Sequence, residues 1–441
     1  MEAVLLRARG VANSRQLATY LKAGGWEGFR RALGLPPEAV IQEVIDSELR
    51  GRGGAGFPTG RKWSFVPKDH PGPRYLICNA DESEPGTFKD REILEHDPQM
   101  VLEGIAIAAY AIGANTAYIY IRGEFFRWAA ILEEAIAQAK AAGFLGKDIL
   151  NSGYSLNIWV HRGAGAYICG EETALIESLE GKRGFPRLKP PFPAVVGLFG
   201  KPTVVNNVET LACLPHILTR GAKWFASIGK PRNTGPKLFS VSGHVRRPGV
   251  YELPLGVSFR EIIYEHAGGI ANGRQLKAFF PGGSSAPVLT AQEVDVAADF
   301  DSCAAAGTML GSGGVIVMDE TVDMVEVGRN LAHFYAHESC GQCTPCREGS
   351  DWCHDILTRL TKGLGHPSDP DQLLRICQYA SQGMTICPLG DAFSLPISSL
   401  VRKFREEFEA AIARAKPLPP KKLPVMPWAG TDVRFGGRGN A

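Results

Sequence analysis

The chain has 441 residues, of which 44% are hydrophobic and 21% charged, the ordinary composition of a globular protein with apolar cores. Its formal net charge of +2 lacks the basic excess typical of nucleic-acid-binding proteins. The longest apolar run, 104–114, is too short to span a bilayer, and residues 1–10 mix charges into a short apolar stretch, unlike a signal peptide. With ten cysteines and no export signal, the sequence predicts a cytoplasmic protein in a reducing compartment.

The first motif along the chain is a glycine-rich loop, GRGGAGFPTG, which begins at Gly51 and follows a predicted helix. Gly51, Gly53 and Gly56 match the G-x-G-x-x-G pattern, but because no strand precedes them, an ordinary Rossmann site is not predicted. The glycines permit close approach of the backbone to a ligand, and Arg52 and Lys62 add cationic donors. The loop is therefore either a phosphate-binding segment or a flexible connection.

An acidic loop, 79–87 (NADESEPGT), comes directly after a predicted buried strand over 74–79. Open α/β sheets bind their ligands at the carboxyl ends of the strands, which is where this loop is predicted to lie. Its carboxylates and asparagine suit ribose hydroxyls and ring nitrogens, because those groups need hydrogen-bond partners. The alternative is an ordinary solvated acidic loop.

A second glycine-rich loop, 162–173, joins a predicted strand to a predicted helix. Helices and strands alternate from 99 to 161 before it, which favours a parallel sheet flanked by helices. Strand, loop and helix in this order are the usual context for an anion or cofactor at a helix N-terminus. Tyr167 either stacks on a ring or packs in the core, and Glu171 and Glu172 either bind a ligand or complement the helix dipole.

Two more polar segments complete the predicted α/β domain. The first, 187–193, is rigid, basic and aromatic, and the second, 202–210, carries adjacent asparagines and a threonine that can bond phosphate and ribityl oxygens. Several such loops in one domain predict a large, flat, polar cofactor. A linker near 231–235 leads to short strands and a helix with a capping box at Ser258 and Glu261, an α+β module without a polar site of its own.

The remainder of the chain is predicted to be helical. Four amphipathic segments, the last opening at Pro396, predict a helical bundle. The loop after the first segment holds Cys340, Cys343 and Cys346 at C-x2-C-x2-C spacing, and Cys387, with a proline directly after it, follows downstream. Close-spaced thiolates together with a Cys-Pro pair are typical of iron–sulfur ligation, so the sequence predicts a [4Fe-4S] cluster.

A four-cysteine zinc site is the alternative to the cluster. Zinc sites usually have two separate C-x2-C pairs, whereas three cysteines in one run suit a cubane better. Disulfides are not expected without a secretory signal. Cys353 and Cys377 are rival fourth ligands, but both lie in helical patterns and neither precedes a proline, so Cys387 is preferred. Beyond residue 415, the Pro- and Lys-rich tail is predicted to be disordered or to lie along a partner.

Four of these motifs together closely resemble one protein family. They are GRGGAGFPTG at 51–60, CNADESEPG at 78–86, GAGAYICGEET at 163–173 and ESCGQCTPCREG at 338–349. The family is the NADH-binding flavoprotein subunit (51-kDa or F-type) of respiratory NADH:quinone oxidoreductase, and the resemblance covers nearly the whole chain. One stretch, beginning at Gly184 (GFP), departs from the Ala-Asn-Pro expected of the family.

The resemblance implies a multidomain fold with α/β, α+β and α units. Residues 1–235 would form a Rossmann-like FMN- and NADH-binding domain with an N-terminal helical extension, and 236–320 a ubiquitin-like SLBB domain. Residues 321–415 would form a four-helix bundle that carries one [4Fe-4S] cluster, and 416–441 an extended tail.

The resemblance also implies the binding residues. FMN would lie among Gly51, Arg52, Gly53, Gly54, Lys62, Asn79, Asp81, Tyr167, Gly170, Glu171, Asn206, Asn207 and Thr210. NADH would meet Gly54, Ala55, Gly56, Phe57, Phe65, Glu82, Glu84, Tyr167, Glu172, Lys189 and Phe192. The cluster ligands would be Cys340, Cys343, Cys346 and Cys387. Glu82, Glu84 and Glu172 are assigned to catalysis because they would contact the nucleotide and tune potentials, while the cofactor carries the chemistry.

The implied activity is that of an NADH dehydrogenase: hydride transfer from NADH to FMN, then transfer of single electrons to the cluster and on toward quinone. The implied partners are a thioredoxin-like [2Fe-2S] subunit (24-kDa or E-type) and the large iron–sulfur subunit. We expect a place in the peripheral arm on the cytoplasmic face of the inner membrane, without nucleic-acid binding and without direct membrane insertion.

Two alternative functions stay open at this point. One is the same diaphorase module in a soluble NAD-linked formate dehydrogenase or bifurcating hydrogenase. Relatives of that kind often carry added thioredoxin-like or ferredoxin-like domains, which this sequence lacks, so the respiratory enzyme is favoured. The other is a non-catalytic zinc scaffold that assembles partners.

Overall fold

The structure is a computed structural model that describes residues 2–414. The tail predicted at 416–441 lies outside the described residues. Among residues 2–414, no helix is both long enough and apolar enough to cross a membrane. The described chain forms an α/β unit preceded by short helices, then a mixed β-sheet, then a group of packed helices.

The N-terminal helices are α1 Leu17–Lys22, α2 Glu27–Leu33, α3 Pro37–Asp46 and α4 Thr59–Ser64. The α/β unit consists of β1 Tyr75–Ala80, α5 Asp90–His96, α6 Pro98–Ile112, β2 Thr116–Ile121, α7 Phe126–Ala141, β3 Asn157–Arg162, α8 Glu172–Leu179, β4 Thr203–Asn207, α9 Val208–Arg220 and α10 Ala222–Ala226. The strand predicted over 74–79 is present as β1, and the two strands predicted within the alternating region 99–161 are present as β2 and β3. Their ends agree with the prediction within one or two residues.

The first sheet is parallel, with the strand order β3-β2-β1-β4. The chain passes from β1 to β2 and β3 on one side of β1 and then returns to place β4 on the other side. Open α/β sheets bind their ligands where the strand order changes direction in this way. Asn79 of β1 is directly opposite Asn207 of β4. The polar ends of these two strands therefore lie side by side.

Close packing of α6 on α9 supports the sheet from one face. A Cβ on Gly104 would lie only 2.1 Å from the carbonyl oxygen of Leu211, so glycine is what lets these two helices approach. The neighbouring Glu103 is buried and accepts hydrogen bonds from the backbone N–H groups of Trp26 (2.7 Å) and Phe29 (3.0 Å). These contacts anchor the N-terminal helices to the sheet.

The middle unit begins with a short hairpin, β5 Gly229–Lys230 and β6 Asn233–Thr234. It continues with β7 Pro236–Gly243, β8 Gly249–Pro254, β9 Leu276–Phe280, β10 Leu289–Thr290, α11 Phe300–Ala305 and β11 Gly314–Asp319. The larger sheet has the order β10-β9-β11-β7-β8, with β11 parallel to β7 and the other pairs antiparallel. At the predicted capping box, the Ser258 hydroxyl accepts from the Glu261 N–H, but the segment Glu261–His266 forms a π-helix.

The C-terminal helices are α12 Met324–Glu338, α13 Thr344–Thr361, α14 Asp369–Ala380, α15 Leu389–Lys403 and α16 Arg405–Ala413. The prediction that the last helix opens at Pro396 was wrong. The helix α15 begins directly after Pro388 and keeps Pro396 inside it, at the cost of one backbone hydrogen bond. It ends before Phe404, whose φ of −123° and ψ of 32° separate α15 from α16, so the predicted last segment is two helices.

The helical unit and the α/β unit share one apolar core. Ile77 and Val205 of the parallel sheet belong to the same buried cluster as Tyr335 of α12 and Phe393 of α15. The middle unit has its own core around Phe259 and most of its buried strand residues. The helices cover one side of the parallel sheet, and the middle unit reaches the edge of that sheet. The carboxyl ends of β1, β3 and β4 therefore lie where all three units meet.

Candidate functional site

The carboxyl ends of the parallel strands open on a cavity of about 410 Å³. The α/β unit contributes Gly53, Gly54, Ala55, Asn79, Asp81, Glu82, Ser83, Glu84, Thr87, Lys89, Asp90, Tyr167, Ile168, Gly170, Glu171 and Asn207 to its lining. The middle unit contributes Gly282, Ser285, Met309, Gly311 and Ser312, and the helical unit Pro388, Leu389, Asp391, Ala392 and Leu395. The structure thus brings the predicted loops together and adds two walls that the sequence did not predict.

The glycine-rich loop presents its backbone to this cavity. A Cβ on Gly53 would lie 3.0 Å from the Cβ of Asn207, and Gly54 has a φ of +138°. The Arg52 side chain, which we expected at FMN, is instead fully buried, where Nη2 donates to the carbonyl of Thr234 (2.6 Å). Its backbone N–H donates to the hydroxyl of Thr210 (2.8 Å), so this pair fixes the loop from behind.

The acidic loop contains one buried carboxylate oxygen that has no hydrogen-bond partner. The Asn79 side chain donates to the Gly170 carbonyl (2.8 Å) and joins the loops that follow β1 and β3. Asp81 accepts from the Ser83 hydroxyl through Oδ1, while its Oδ2 is buried without a hydrogen-bond partner. Burial raises the pKa of Asp81 to about 7. FMN fits this wall because its ring N–H and ribityl hydroxyls are the donors that an orphaned buried oxygen needs.

The two other carboxylates of this loop are already bonded within the protein. Glu82 accepts from the Asp90 N–H (2.7 Å) and from Arg91 Nε (2.9 Å), so both of its oxygens are occupied. Glu84 accepts from the Tyr167 hydroxyl (2.7 Å) and from the backbone N–H of Ser285 (2.8 Å). Burial raises the pKa of both carboxyls above the ordinary range. Glu82 therefore stabilises the loop.

A network of two lysines and two glutamates meets the wall of the cavity at Glu171. Lys62 Nζ donates to Glu172 (2.7 Å) and to the carbonyl of Val205 (3.0 Å). Lys189 Nζ donates to Glu171 (2.9 Å) and to Glu172 (3.3 Å). Although burial opposes it, these lysines lower the pKa of Glu172 below its usual value. The predicted FMN side and the predicted NADH side are connected by these ion pairs.

Three predicted nucleotide contacts are aromatic side chains that the fold leaves exposed. Phe57 and Phe65 lie with ring centroids 6.1 Å apart and are 46% and 48% exposed, and Phe192 is 58% exposed. Apolar rings exposed to this extent are suited to stack on a base. Asn206 differs from its predicted role, because its side chain is buried and accepts from Trp63 Nε1 (2.9 Å).

The stretch that departs from the expected family pattern begins at Gly184, which lies against Cys169. A Cβ at this position would lie 2.6 Å from the Sγ of Cys169, closer than real Cβ contacts allow. Cys169 is buried in the short helical turn between Tyr167 and Gly170. A side chain at position 184 would therefore require Cys169 or the backbone to shift.

The sequence did not predict the buried ion cluster beneath the cavity or the contribution of the middle unit. Lys89 and Asp90 line the cavity and form an ion pair of 2.8 Å. We expected the middle unit to have no polar site of its own, yet Ser284 and Ser285 both bond Glu84. A Lys-Asp pair immediately after the acidic loop was the available signal, but a sequence does not show that such charges are buried.

All four predicted cluster ligands line one small second cavity. Cys340, Cys343, Cys346 and Cys387 surround it. Among the described residues, no three His, Cys, Asp or Glu side chains converge closely enough to share one metal ion. A cubane takes one thiolate at each of its corners, so thiols arranged around a volume fit its donor set.

The rival ligands lie elsewhere. Cys353 and Cys377 are buried in the core of the helical unit, on α13 and α14. The cysteine cavity and the larger cavity share two wall residues, Ile168 and Leu389. These two residues therefore lie between the two candidate cofactor sites.

Three regions of the chain match known families. Residues 44–216 match the Nuo51 FMN-binding domain, 238–289 the SLBB domain, and 326–411 the iron-sulfur binding region of NADH-ubiquinone oxidoreductase-F. The chain is 55% identical to an F-type subunit (F 2) of the NADH-quinone oxidoreductase of Rhizobium meliloti (strain 1021) over 412 residues, which are 93% of this chain and 98% of that protein. The chain belongs to the family of F-type subunits of NADH-quinone oxidoreductase.

Another relative and a solved structure agree with this assignment. The F-type subunit of the NADH-quinone oxidoreductase of Rickettsia bellii (strain OSU 85-389) is 54% identical over 401 residues, 90% of this chain and 96% of its own length. A crystal structure of an NAD+-reducing [NiFe]-hydrogenase superposes with a TM-score of 0.81 at 37% identity, covering 92% of this chain and 68% of that one. The family resemblance that the four motifs predicted is confirmed.

Proposed function

We propose that this chain is the NADH dehydrogenase subunit of a multisubunit NADH-quinone oxidoreductase and binds FMN, NADH and one [4Fe-4S] cluster. The observation that carries this proposal is the pair of adjoining cavities, one lined by the glycine-rich and acidic loops and one lined by four cysteines, which share Ile168 and Leu389. When the groups are bound, a hydride passes from NADH to FMN and single electrons go on to the cluster. A thin apolar wall between two redox groups suits such transfer.

The residues of the chain bind and orient the groups. We assign the flavin to the backbone of Gly53 and Gly54 and to the side chains of Asn79, Asp81 and Asn207. Asp81 offers its unpartnered oxygen, and the close approach of Gly53 to Asn207 leaves the backbone as the contact surface. No side chain need exchange a proton in the hydride step, so the protein's contribution is positioning and charge.

The nucleotide is assigned to the surface that carries the exposed rings and the lysine–glutamate network, here called the nucleotide cleft. Phe57, Phe65 and Phe192 supply exposed rings for stacking, and Glu172 and Lys189 supply hydrogen-bond groups for ribose and phosphate. The carboxylates beside this cleft repel a 2′-phosphate, so we expect NADH to be preferred over NADPH. The cluster is assigned to the four cysteines that line the second cavity, with Cys387 on the segment directly before α15.

The finer organisation is also part of the proposal. We assign the domains to 1–235, 236–320 and 321–415, with four of the C-terminal helices forming the bundle. The partners are a thioredoxin-like [2Fe-2S] subunit and the large iron–sulfur subunit, in a peripheral arm on the cytoplasmic face of the membrane. Identities of 53–55% to F-type subunits of NADH-quinone oxidoreductases, against 37% to the NAD+-reducing hydrogenase, favour this assignment over the soluble hydrogenase alternative.

Cofactor analysis of the protein co-expressed with its small partner tests the proposal. We expect one FMN, with iron and acid-labile sulfide in equal amounts, together with NADH-dependent reduction of an artificial acceptor. Zinc in place of iron, with no flavin, would support the scaffold alternative. FMN and NADH oxidation with only the iron of the partner's [2Fe-2S] cluster would leave the flavin assignment standing and remove the cluster assignment.

A further inference from the structure

We propose that Lys237, on β7 of the middle unit, is a positioning residue for the flavin site, because it keeps a buried positive charge beneath the cavity. This inference rests on the proposed function, namely that the cavity holds FMN. It gives the middle unit a defined role, since that unit then contributes electrostatically to a cofactor that the α/β unit binds.

Lys237 belongs to a fully buried ion triad. The Nζ atoms of Lys89 and Lys237 lie 2.7 Å and 2.8 Å from the same oxygen, Oε2 of Glu209. The other oxygen of Glu209 accepts from the backbone N–H of Leu238 (2.8 Å). The side chains of Lys89, Lys237 and Glu209 are 1%, 0% and 0% exposed. Buried charges cost several kcal/mol each unless they are paired, so the two lysines and the glutamate depend on each other.

The triad reaches the cavity through Lys89. Besides Glu209, Lys89 contacts Asp90 Oδ1 (2.8 Å), and Asp90 Oδ2 accepts from the side chain of Asn207 (2.7 Å). Lys89, Asp90 and Asn207 all line the cavity. A change at Lys237 is therefore transmitted to the cavity wall through Glu209 and Lys89, although Lys237 itself lies behind the wall.

Lys237 is also fixed to the wall from its own unit. Its Nζ donates to the carbonyl oxygens of Leu238 (2.7 Å) and Ser312 (2.9 Å), and Ser312 lines the cavity. The Ser312 hydroxyl is in turn hydrogen-bonded to Thr87 of the acidic loop. Lys237 thus connects the middle unit to the ion triad beneath the cavity and, through Ser312 and Thr87, to the acidic loop in the cavity wall.

The buried charges around the floor of the cavity balance only while Lys237 is charged. The cations are Arg52, Lys89 and Lys237, and the anions are Glu82, Asp90 and Glu209, so three positive charges face three negative charges and the loss of Lys237 leaves one negative charge in excess. Reduction of a flavin adds negative charge to its ring, and FMN carries a phosphate besides. The excess negative charge that the loss of Lys237 would leave disfavours both, because electrostatic interactions are strong where water is excluded.

The ionisation of Lys237 is linked to an anion in the cavity. Burial lowers its pKa to about 7, while Glu209 on α9 raises it and Lys89 and Arg52 lower it. An added negative charge nearby stabilises the ammonium form, and by linkage the ammonium form stabilises the anion. The bound cofactor and the charge on Lys237 therefore support each other.

The test compares the FMN midpoint potential of the wild type with that of Lys237→Met, each as the FMN-loaded complex with its small partner. We expect the affinity for reduced FMN to fall relative to oxidised FMN by on the order of tenfold, which lowers the two-electron potential by about 30 mV. The matched control is Lys277→Met, since Lys277 in the same unit pairs with Glu407 (2.7 Å) away from the cavity. The control should leave the potential unchanged.

A double variant separates charge from packing. Lys237→Met with Glu209→Gln removes one cation and one anion, so the balance of the buried charges is kept. We expect its potential, and its retention of FMN if Lys237→Met alone releases FMN, to return toward the wild type. The inference is overturned if Lys237→Met holds FMN at an unchanged potential, if Lys277→Met shifts it equally, or if the double variant behaves like the single one. Failure of the wild type to bind FMN would instead overturn the proposed function.

Discussion

The hydroxyl of Tyr167 donates a 2.7 Å hydrogen bond to the buried carboxylate of Glu84, and the backbone N–H of Tyr167 donates to Glu338 (3.0 Å) at the end of α12. The first contact joins the loops that follow β3 and β1. The second joins the same loop to the helix that leads into Cys340. Since Ser285 of the middle unit also bonds Glu84, one tyrosine and one glutamate connect all three units around the cavity.

The first prediction concerns this junction. The carboxylate of Glu84 accepts hydrogen bonds from Tyr167 and Ser285 through its two oxygens. In Glu84→Gln one of these oxygens is replaced by an NH2 group, which donates and does not accept. We expect a loss of stability of roughly 1–3 kcal/mol, because a buried donor is left unpaired. Thermal unfolding followed by circular dichroism measures it. The control is Glu326→Gln, which affects only an exposed pair with Arg329 on α12. Equal melting temperatures for the two variants would contradict the junction.

The second prediction concerns the lysine–glutamate network. Glu172→Gln weakens the ion pairs with Lys62 and Lys189 at the nucleotide cleft. We expect the KM for NADH to rise roughly tenfold, the effect of losing a charge-assisted hydrogen bond, while the FMN content per chain stays unchanged. Steady-state kinetics and flavin absorbance measure the two quantities. A variant that loses FMN yet binds NADH normally would show that Glu172 is assigned to the wrong ligand.

The third prediction concerns the fourth cluster ligand. Cys387→Ala removes one of the four thiols that surround the second cavity, whereas Cys377→Ala removes a thiol buried on α14. We expect the first variant to lose most of its iron and sulfide and the second to keep both. Iron analysis of the two proteins, purified without oxygen, measures this. Full iron content in Cys387→Ala with loss in Cys377→Ala would reverse the assignment.

The fourth prediction concerns pH and Glu103. Burial raises the pKa of this carboxyl from 4.5 to about 7, against the opposing effect of hydrogen bonds from Tyr20, Trp26 and Phe29. Between these two values the folded state binds more protons than the unfolded state, so this group's contribution to stability decreases as pH rises from 4.5 to 7. Over that interval the decrease amounts to about 3 kcal/mol.

Melting temperatures at about pH 5 and about pH 7.5, on either side of most of this titration, test the sign. The Glu103→Gln variant has no titrating group at this position. We therefore expect its melting temperature to fall less, or to rise more, from the lower to the higher pH than the melting temperature of the wild type. The control is Glu133→Gln, an exposed residue paired with Arg162. Identical pH profiles for the wild type and Glu103→Gln would show that Glu103 has an ordinary pKa.

Local patterns made much of the fold predictable. The strands of the parallel sheet are runs of apolar residues, and the acidic loop and the second glycine-rich loop each follow a predicted strand, so the places of these two loops at the strand ends followed from the sequence. The prediction failed at Pro396, because a proline inside a well-packed helix costs one hydrogen bond that burial of α15 offsets. It also merged α15 with α16, since the backbone break at Phe404 has no glycine or proline to announce it.

The site was predictable only as far as its motifs extend. The four cysteines and the polar loops were found because their spacing is local. The contacts of Ser285 with Glu84 and of Lys237 with Glu209 link residues far apart in the chain, and no local pattern marks them. Arg52 was expected at the ligand because it lies between glycines, yet its long side chain turns away from the cavity into the protein. Direction and burial of charged side chains are set by tertiary packing.

The central claim is that electrons pass from NADH through FMN to the cluster across the wall formed by Ile168 and Leu389. An anaerobic NADH titration of the protein with its small partner, followed by flavin absorbance and EPR, tests it most directly. The account predicts bleaching of the flavin together with a new EPR signal of a reduced [4Fe-4S] cluster, and loss of that signal in Cys387→Ala. Bleaching of the flavin with no cluster signal, in protein that contains its full iron, would contradict the account.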